Sequence, residues 1–385
     1  MPERIAKVIF LKRFVYYISH WETWHWLMKY IPMVPFWIAH CIRAKSVWFF
    51  SAANPTLTFG GFEGETKSEM YARLPKGTFP ETFVIDPALP VSFAEEIMNS
   101  GKLSFPVAVK PDAGRMGLMF RKINSISQLR QYHDSMQATY LLQEYIDYPM
   151  EVSVFYYRIP GEQRGTITGF VKKECLSVTG DGTSDLLALM EQYPRVWFRM
   201  NEMRTRHADR LHTIIPKGES YILSDALNLS RGGKLVSLES EKNQDLLNVF
   251  DQLSEQGEFY FGRYDIKCAS IESLKAGKDF SILEFNGSGA EPHHVYGNGN
   301  SLWCAIGILL HHWNILYKIS IENNRRGVRY WRLQEGIDHL RKARLHISIL
   351  KRLESDRATS FNRTQHQDEL MTAPTSTLSS ASILK

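Results

Sequence analysis

The chain has 385 residues and a formal net charge of +5, with 44% hydrophobic and 23% charged residues. This length allows two or three domains with a substantial core. The charge is modest and no basic stripe with interleaved aromatic residues occurs, so we expect no nucleic-acid partner. The four cysteines lie far apart and form no Cys-x-x-Cys motif. Their spacing argues against a zinc site and a disulfide framework, and it predicts a reducing, cytoplasmic location.

The first sixty residues are rich in aromatic rings, including five tryptophans between positions 21 and 48. Helices are predicted over residues 5–29 and 35–50, on either side of a proline-containing break. Three basic residues interrupt the apolar run, so no membrane-spanning helix is predicted, and no signal-peptide pattern occurs. Two interpretations remain open: the rings pack against the domain that follows, or the segment lies at the headgroup boundary of a membrane.

A hairpin with a lysine and two glycines is predicted next. A short helix over 65–74 carries Lys67, and after a strand and a helix comes the segment Pro106-Val-Ala-Val-Lys-Pro with Lys110. The turn that follows contains Gly114 and Gly117, and a strand returns over 118–123. Glycines in such a turn leave backbone N–H groups free to approach an anion, although a plain hairpin has the same pattern.

The middle of the chain alternates strands and polar turns. Strands are predicted over residues 140–146, 151–158 and 165–176, followed by a helix over 185–191, an arginine-rich helix over 200–211 and a strand from 220. Glu151 stands at the start of the second of these strands. An exposed acid at a strand start is common, so Glu151 alone indicates no function.

Two alternating segments near residue 270 carry the strongest chemical signal. On the first strand, Arg263 and Asp265 share one face, and on the second, Glu284 and Asn286 share one face. If the strands pair, two carboxylates, an amide and a guanidinium converge. Oxygen ligands of this kind suit Mg²⁺, and a guanidinium suits a phosphate or a developing oxyanion. The alternative is a surface ladder of salt bridges.

The remainder of the chain is predicted to be mostly helical. A glycine-rich loop with His293 and His294 follows Asn286, and adjacent side chains diverge, which argues against a shared transition metal. Helices are predicted over 301–321 and 334–354. Residues 355–385 are rich in Ser, Thr and Gln and are predicted to form a disordered tail.

Taken in order, the motifs over about residues 65–300 resemble the ATP-grasp superfamily, most closely the D-alanine–D-alanine ligase-like branch of carboxylate–amine ligases. The resemblance implies an α+β, ATP-grasp fold in which two lobes clasp ATP. The implied domains are an aromatic helical segment (1–64), a small lobe (65–147), a large lobe (148–325), a C-terminal helix (326–354) and the tail (355–385).

The same resemblance implies a role for each matching residue. Nucleotide-binding roles fall on Lys67, Lys110, Gln143, Glu144, Tyr145 and Glu151, the last seven residues after the hinge residue Glu144. Metal-binding roles fall on Asp265, Glu284 and Asn286. The catalytic role falls on Arg263, and substrate roles fall on Lys172, Asn228 and Arg231.

The implied activity is an ATP- and Mg²⁺-dependent carboxylate–amine ligase, with Mn²⁺ as an alternative ion and an acylphosphate intermediate. Its substrates would be small carboxylates and amines, such as amino acids or peptides. The loop after Asn286 departs from the Thr/Ser-Pro-Gly-Met pattern of D-alanine–D-alanine ligases, so that product is not expected. Two other readings remain: a kinase-like phosphotransferase, and a weakly catalytic nucleotide-binding protein docked on the inner face of a membrane.

Overall fold

The chain combines α-helices with β-strands, and the strands of its largest sheet pair antiparallel, in agreement with the predicted α+β class. The structure is a computed structural model, and it describes residues 14–224, 227, 232–297 and 299–372. Two predicted substrate residues, Asn228 and Arg231, lie outside the described residues.

The described strands are β1 (Thr82–Ile85), β2 (Val107–Pro111), β3 (Arg121–Ile123), β4 (Tyr140–Glu144), β5 (Met150–Tyr157), β6 (Thr166–Glu174), β7 (Leu176–Thr179), β8 (Ser220–Ser224), β9 (Lys234–Ser237), β10 (Phe261–Cys268) and β11 (Phe280–Asn286). The described α-helices are α1 (14–19), α2 (Trp26–Tyr30), α3 (Val34–Ala44), α4 (Lys67–Tyr71), α5 (Ser92–Asn99), α6 (Ile126–Ser135), α7 (Leu186–Gln192), α8 (Pro194–Trp197), α9 (Met200–Arg206), α10 (Gln244–Gly257), α11 (Ile271–Lys275), α12 (His294–Gly297), α13 (Leu302–Arg325) and α14 (Leu333–Thr372).

The larger of two compact units comprises residues 1–82 and 144–340. Its main sheet has the order β11-β10-β5-β6-β9, and each neighbouring pair is antiparallel. The strand predicted over 165–176 is split at Cys175, and its second part, β7, pairs with β8 in a separate two-stranded sheet. A change of sheet needs only a local bend, which an alternating pattern does not reveal.

The smaller compact unit comprises residues 83–143 and 341–385. It contains the four-stranded sheet β1-β4-β2-β3, and the hydrophobic core under that sheet includes Val107, Val109 and Leu350. The predicted hairpin is present, but its returning strand begins at Arg121 rather than at 118, because Met116, Gly117 and Met119 have positive φ and prolong the turn. The unit boundaries differ from the predicted lobes: residues 65–82 fall in the larger unit, and α14 from Arg341 onward falls in the smaller one.

The N-terminal helices are shorter than predicted. Residues 14–19 are helical, but the chain then breaks at His20, so a single helix over 5–29 is wrong within the described residues, and 5–13 lie outside them. The break lets Trp21 become buried and donate its Nε1–H to the Asn300 carbonyl at 2.8 Å. The second helix ends at Ala44 rather than at Phe50 because Lys45 adopts a left-handed conformation with φ 53°. None of the described helices is both long and apolar enough to cross a membrane.

The last helix extends further than predicted. α14 continues from Leu333 to Thr372, so residues 355–372 are helical and not part of an irregular tail. The sequence contains no glycine or proline between Gly336 and Pro374, so no helix breaker ends the helix at Glu354. The last predicted tail residues, 373–385, lie outside the described residues.

Candidate functional site

The register between β10 and β11 brings the four signature residues together. Arg263 stands opposite Asn286, and Asp265 stands opposite Glu284. Directly opposed residues of an antiparallel pair point to the same face of the sheet, so all four side chains share one face. The pairing predicted from the alternating pattern is therefore confirmed.

Asp265 is the centre of this polar cluster. Its two carboxylate oxygens accept hydrogen bonds from Arg263 at 3.2 and 3.1 Å, from Asn286 Nδ2 at 3.3 Å and from the Ser153 hydroxyl. Lys173 Nζ lies 3.1 Å from the same carboxylate. Burial opposes ionisation of Asp265, but the two cations outweigh it and hold its pKa well below the ordinary value.

Lys173 joins the cluster, whereas its neighbour Lys172 does not, and the substrate role that the resemblance implies for Lys172 stays a prediction. Lys173 Nζ lies 2.9 Å from Glu151 and 3.1 Å from Asp265, and the Lys173 side chain is almost fully buried. Burial disfavours the ammonium, yet the two carboxylates outweigh it and raise the pKa of Lys173. Lys172 points to the other face of β6 and pairs with Glu174 at 3.2 Å. Adjacent residues of a strand point to opposite faces of the sheet. Only the pairing of Lys173 with Glu151 across β5 and β6 shows which of the two lysines faces the cluster.

Glu151 is therefore ion-paired with Lys173 inside the sheet's polar face. The resemblance assigns Glu151 to the hydroxyls of a ribose. In the structure its side chain is mostly buried and accepts a hydrogen bond from Lys173. Its nucleotide-binding role stays a prediction.

Lys67 reaches the cluster from the start of α4. Its Nζ lies 3.4 Å from Glu284 Oε1, and α4 is capped by Thr66, whose hydroxyl accepts from the Glu69 N–H. The cap holds the first turn of α4, and therefore Lys67, beside β11. The predicted nucleotide-binding lysine and the predicted metal-binding glutamate are thus neighbours.

Glu65 is a further carboxylate beside this pair, and sequence patterns did not single it out. Its Oε2 is buried and has no hydrogen-bond partner in the described part of the chain. Burial raises the pKa of Glu65 to about 7, and the nearby charge of Glu284 adds to the effect. No sequence pattern marks this residue, because its burial arises only in the folded chain.

Replacing Glu65 by glutamine is expected to stabilise the protein at pH 8 and to have little effect at pH 5. A raised folded-state pKa means that the wild type loses stability as pH rises from about 4.5 to about 7. Glutamine does not titrate, so the gain above pH 7 is about 3 kcal/mol. Chemical denaturation at both pH values measures it, with the exposed Glu255→Gln in α10 as the control. Equal stability of Glu65→Gln and wild type at pH 8 would contradict the burial of an ionised carboxylate here.

The loop after β11 closes one side of the cluster. Arg263 Nη1 donates to the Glu291 carbonyl at 2.9 Å, and the Glu291 carboxylate accepts from the hydroxyls of Tyr30 and Tyr296. His293 in the same loop lies 3.4 Å from the Ser153 hydroxyl through Nδ1. Burial, together with the charge of Arg263, lowers the pKa of His293 well below its ordinary value, so the ring is neutral near pH 7.

The N-terminal segment packs against this loop through its backbone. Ser288 and Gly289 donate their backbone N–H groups to the carbonyls of Gly60 and Gly61, at 3.0 and 3.2 Å. A Cβ on Gly287 would lie 2.6 Å from the Gly60 oxygen, so the two backbones approach as closely as glycine alone permits. The aromatic segment therefore packs on the domain behind it, as one of the two interpretations predicted.

The remaining predicted nucleotide-binding residues are divided between the two compact units. Lys110 and Gln143 belong to the smaller unit, and the boundary falls between Gln143 and Glu144, inside the predicted hinge. In the larger unit, Glu144 donates its backbone N–H to Glu81 at 2.9 Å, and Lys267 lies over the Tyr145 ring. The nucleotide-binding roles of these residues stay predictions.

The predicted Mg²⁺ would be held by oxygen atoms of Asp265, Glu284 and Asn286. Among the described residues, no group of three or more His, Cys, Asp or Glu is arranged to hold a metal ion. The predicted set is different, because it combines two carboxylates with the Asn286 amide, and oxygen donors of this kind suit Mg²⁺. Asp265 is engaged by Arg263 and Lys173, whereas Glu284 is engaged by Lys67. The donor types suit Mg²⁺, but both carboxylates are already paired with cations, so the metal-binding roles of Asp265, Glu284 and Asn286 stay predictions.

No family model matches the chain, and no curated protein matches it. Among solved structures, a bifunctional glutathione synthetase from Pasteurella multocida is similar with a TM-score of 0.41 and 11% identity over 61% of this chain and 34% of that chain. A D-alanine–D-alanine ligase from Bacillus anthracis is similar with a TM-score of 0.36 and 12% identity over 68% of this chain and 67% of that chain. The D-cycloserine synthetase DcsG is similar with a TM-score of 0.36 and 10% identity over 64% of this chain and 69% of that chain.

This chain spans about a third of the length of the glutathione synthetase. The TM-scores of these similar structures are too low to carry an argument about the superfamily, the activity or the substrate of this chain.

Proposed function

We propose that the protein is an ATP- and Mg²⁺-dependent carboxylate–amine ligase that forms a C–N bond through an acylphosphate. The observation that carries the proposal is the register that sets Arg263 opposite Asn286 and Asp265 opposite Glu284 on one face. A surface ladder of salt bridges would be exposed, whereas Arg263 and Asp265 are largely buried around a shared set of hydrogen bonds. Buried charges of this density are unusual outside functional sites.

The proposed reaction has two steps. An oxygen of the substrate carboxylate attacks the γ-phosphorus of ATP, the bond to the bridging oxygen breaks, and ADP leaves. The amine nitrogen then attacks the acyl carbon of the acylphosphate, phosphate leaves with the electrons of the C–O bond, and the nitrogen loses one proton. The product is an amide.

The residues of the cluster take distinct roles in this reaction. Lys67 contacts the phosphates of the nucleotide, and Arg263 stabilises charge on the transferring phosphoryl group or on the tetrahedral oxyanion, an effect worth about 3 kcal/mol for one such donor. Asp265, Glu284 and Asn286 would hold Mg²⁺, which would spread the phosphate charge. Lys173 holds Asp265 in place through their ion pair.

The test supplies the full-length protein with Mg²⁺, ATP and panels of carboxylates and amines, and it measures ADP release. We expect release that depends on both a carboxylate and an amine, with an amide product detected by mass spectrometry. A phosphate ester formed from a hydroxyl compound would instead establish the kinase-like alternative. Absence of any nucleotide binding by thermal shift would contradict both.

The third alternative from the sequence is a weakly catalytic nucleotide-binding protein docked on a membrane. Such a protein would bind nucleotide but form no amide, so the ADP-release assay and the thermal shift together distinguish it from a ligase.

A further inference from the structure

The helical run from α2 through α3 has an apolar face turned to solvent. Five residues spaced four, three, four and four apart lie on this face, which we call the apolar stripe: Leu27, Ile31, Val34, Ile38 and Ile42. Each is at least 45% exposed, and Ile42 is 70% exposed. That spacing places all five on one side of a helix.

The opposite side of the same run is also apolar. Met33 is fully buried, and Trp37 packs with Phe49 and Phe50 in the core of the larger unit. A surface helix normally turns polar residues to water, so a helix that is apolar on both sides needs a second cover. Isolated exposed apolar residues are ordinary, but five in one row are not.

The charged residues of the sequence segment that carries the stripe have one sign. The sequence contains no aspartate or glutamate from Trp24 to Phe62, whereas Arg43 and Lys45 are exposed at the end of α3. His40 adds no charge, because burial lowers its pKa. A surface of this composition repels the same surface on a second copy of the protein, and it attracts a surface that carries negative charge.

A neighbouring element has the same character. Ala305 and Leu309 of α13 share a hydrophobic core with Trp21 and Met33, so α13 lies beside the N-terminal segment. No acidic residue occurs between Glu291 and Glu322, and Trp303 at the start of α13 is 79% exposed. An exposed tryptophan on a surface without acidic residues is typical of proteins that lie at lipid headgroups.

We propose that the apolar stripe, with Arg43, Lys45 and Trp303, docks the protein on an anionic lipid surface. No described helix can cross a membrane, so the stripe lies in the headgroup boundary. Insertion of the apolar side chains and attraction of Arg43 and Lys45 to anionic lipid both contribute to binding. Either contribution alone would hold the protein on the membrane only transiently. The ligase proposal plays no part in this inference, so either can fail without the other.

The experiment is co-sedimentation of the full-length protein with vesicles of phosphatidylcholine containing about one third phosphatidylglycerol, with pure phosphatidylcholine vesicles as the comparison. We expect binding to the anionic vesicles that is at least tenfold tighter than to the neutral ones and that weakens in high salt. Ile38→Glu with Ile42→Glu should lower the affinity at least tenfold, and Arg43→Gln with Lys45→Gln should remove the preference for anionic lipid.

Matched controls come from α14 in the other compact unit. Leu345→Glu places a charge on another exposed leucine, and Lys342→Gln with Arg344→Gln removes two other exposed charges. Neither control should change binding, and melting temperatures should show that all variants fold. Failure of the wild type to bind anionic vesicles at millimolar lipid, or equal loss in the controls, overturns the proposal. A dimer that the two Ile→Glu changes dissociate, without vesicle binding, would show that a second copy covers the stripe instead.

Discussion

Replacing Lys173 by methionine is expected to lower the free energy of unfolding by about 3–5 kcal/mol, as when one partner of a buried ion pair is removed. Methionine keeps the apolar stem but leaves Glu151 without the cation that lies 2.9 Å away. Asp265 keeps Arg263 as a partner, so the larger part of the loss comes from Glu151. Urea denaturation of the ligand-free protein at pH 7 measures the difference.

The control for this variant is the adjacent lysine. Lys172→Met removes an equal charge, but Lys172 is about a third exposed and pairs with the similarly exposed Glu174, so its loss should cost no more than about 1 kcal/mol. The folded-state pKa of Asp265 is depressed, so its stabilising contribution is present above pH 4 and is lost as pH falls further. The part of the stability difference between Lys173→Met and wild type that comes from Asp265 should therefore persist from pH 8 to pH 5 and decrease only in stronger acid. Equal destabilisation by the two variants would show that the cluster is not built around Lys173.

Replacing Glu284 by glutamine is expected to lower Mg²⁺-dependent turnover of ATP at least about 100-fold while the fold is retained. A neutral amide is a weaker ligand for a divalent ion than a carboxylate, so half-maximal activity should also require more Mg²⁺. Glu284 is about a third exposed and pairs with Lys67, and the loss of so exposed a pair should change stability by less than about 1 kcal/mol. ADP release titrated with Mg²⁺, together with nucleotide-induced thermal shift, measures both effects.

Glu284 is a better test of the metal role than Asp265. From the sequence alone, alanine at either position is expected to abolish turnover without disturbing the fold. In the structure Asp265 is the shared counter-ion of Arg263 and Lys173, so its removal would leave two buried cations unpaired. Glu272→Gln, an exposed glutamate in α11 between the same two strands, is the control. Full activity of Glu284→Gln at low Mg²⁺ would remove Glu284 from the proposed metal site.

Local patterns were sufficient for most elements and for the residues of the signature. The alternation on β10 and β11 predicted that Arg263 and Asp265 share a face, because side-chain direction follows from a two-residue repeat. The helix boundaries were less accurate. The break before Trp21 depends on a hydrogen bond to Asn300, and no local pattern could reveal a partner 279 residues away.

Sequence spacing could not decide which side chains complete the site. Lys172 and Lys173 have equal standing in the sequence, and the strand pairing alone selects Lys173 for the face that carries Glu151. Glu65 gains its raised pKa chiefly from burial and to a lesser extent from the charge of Glu284, and both arise only in the folded chain. Its sequence context is that of an ordinary acid before a helix.

The sequence by itself determined the chemical types and the order of the site residues: two acids, an amide and an arginine on two alternating strands. Only the tertiary structure decided the register that joins them, the lysine that neutralises Asp265 and the apolar face that α3 leaves exposed. The physical reason is that side-chain direction is a local property of the backbone. Ion pairing and burial depend instead on segments that are distant in sequence and meet only in the folded chain.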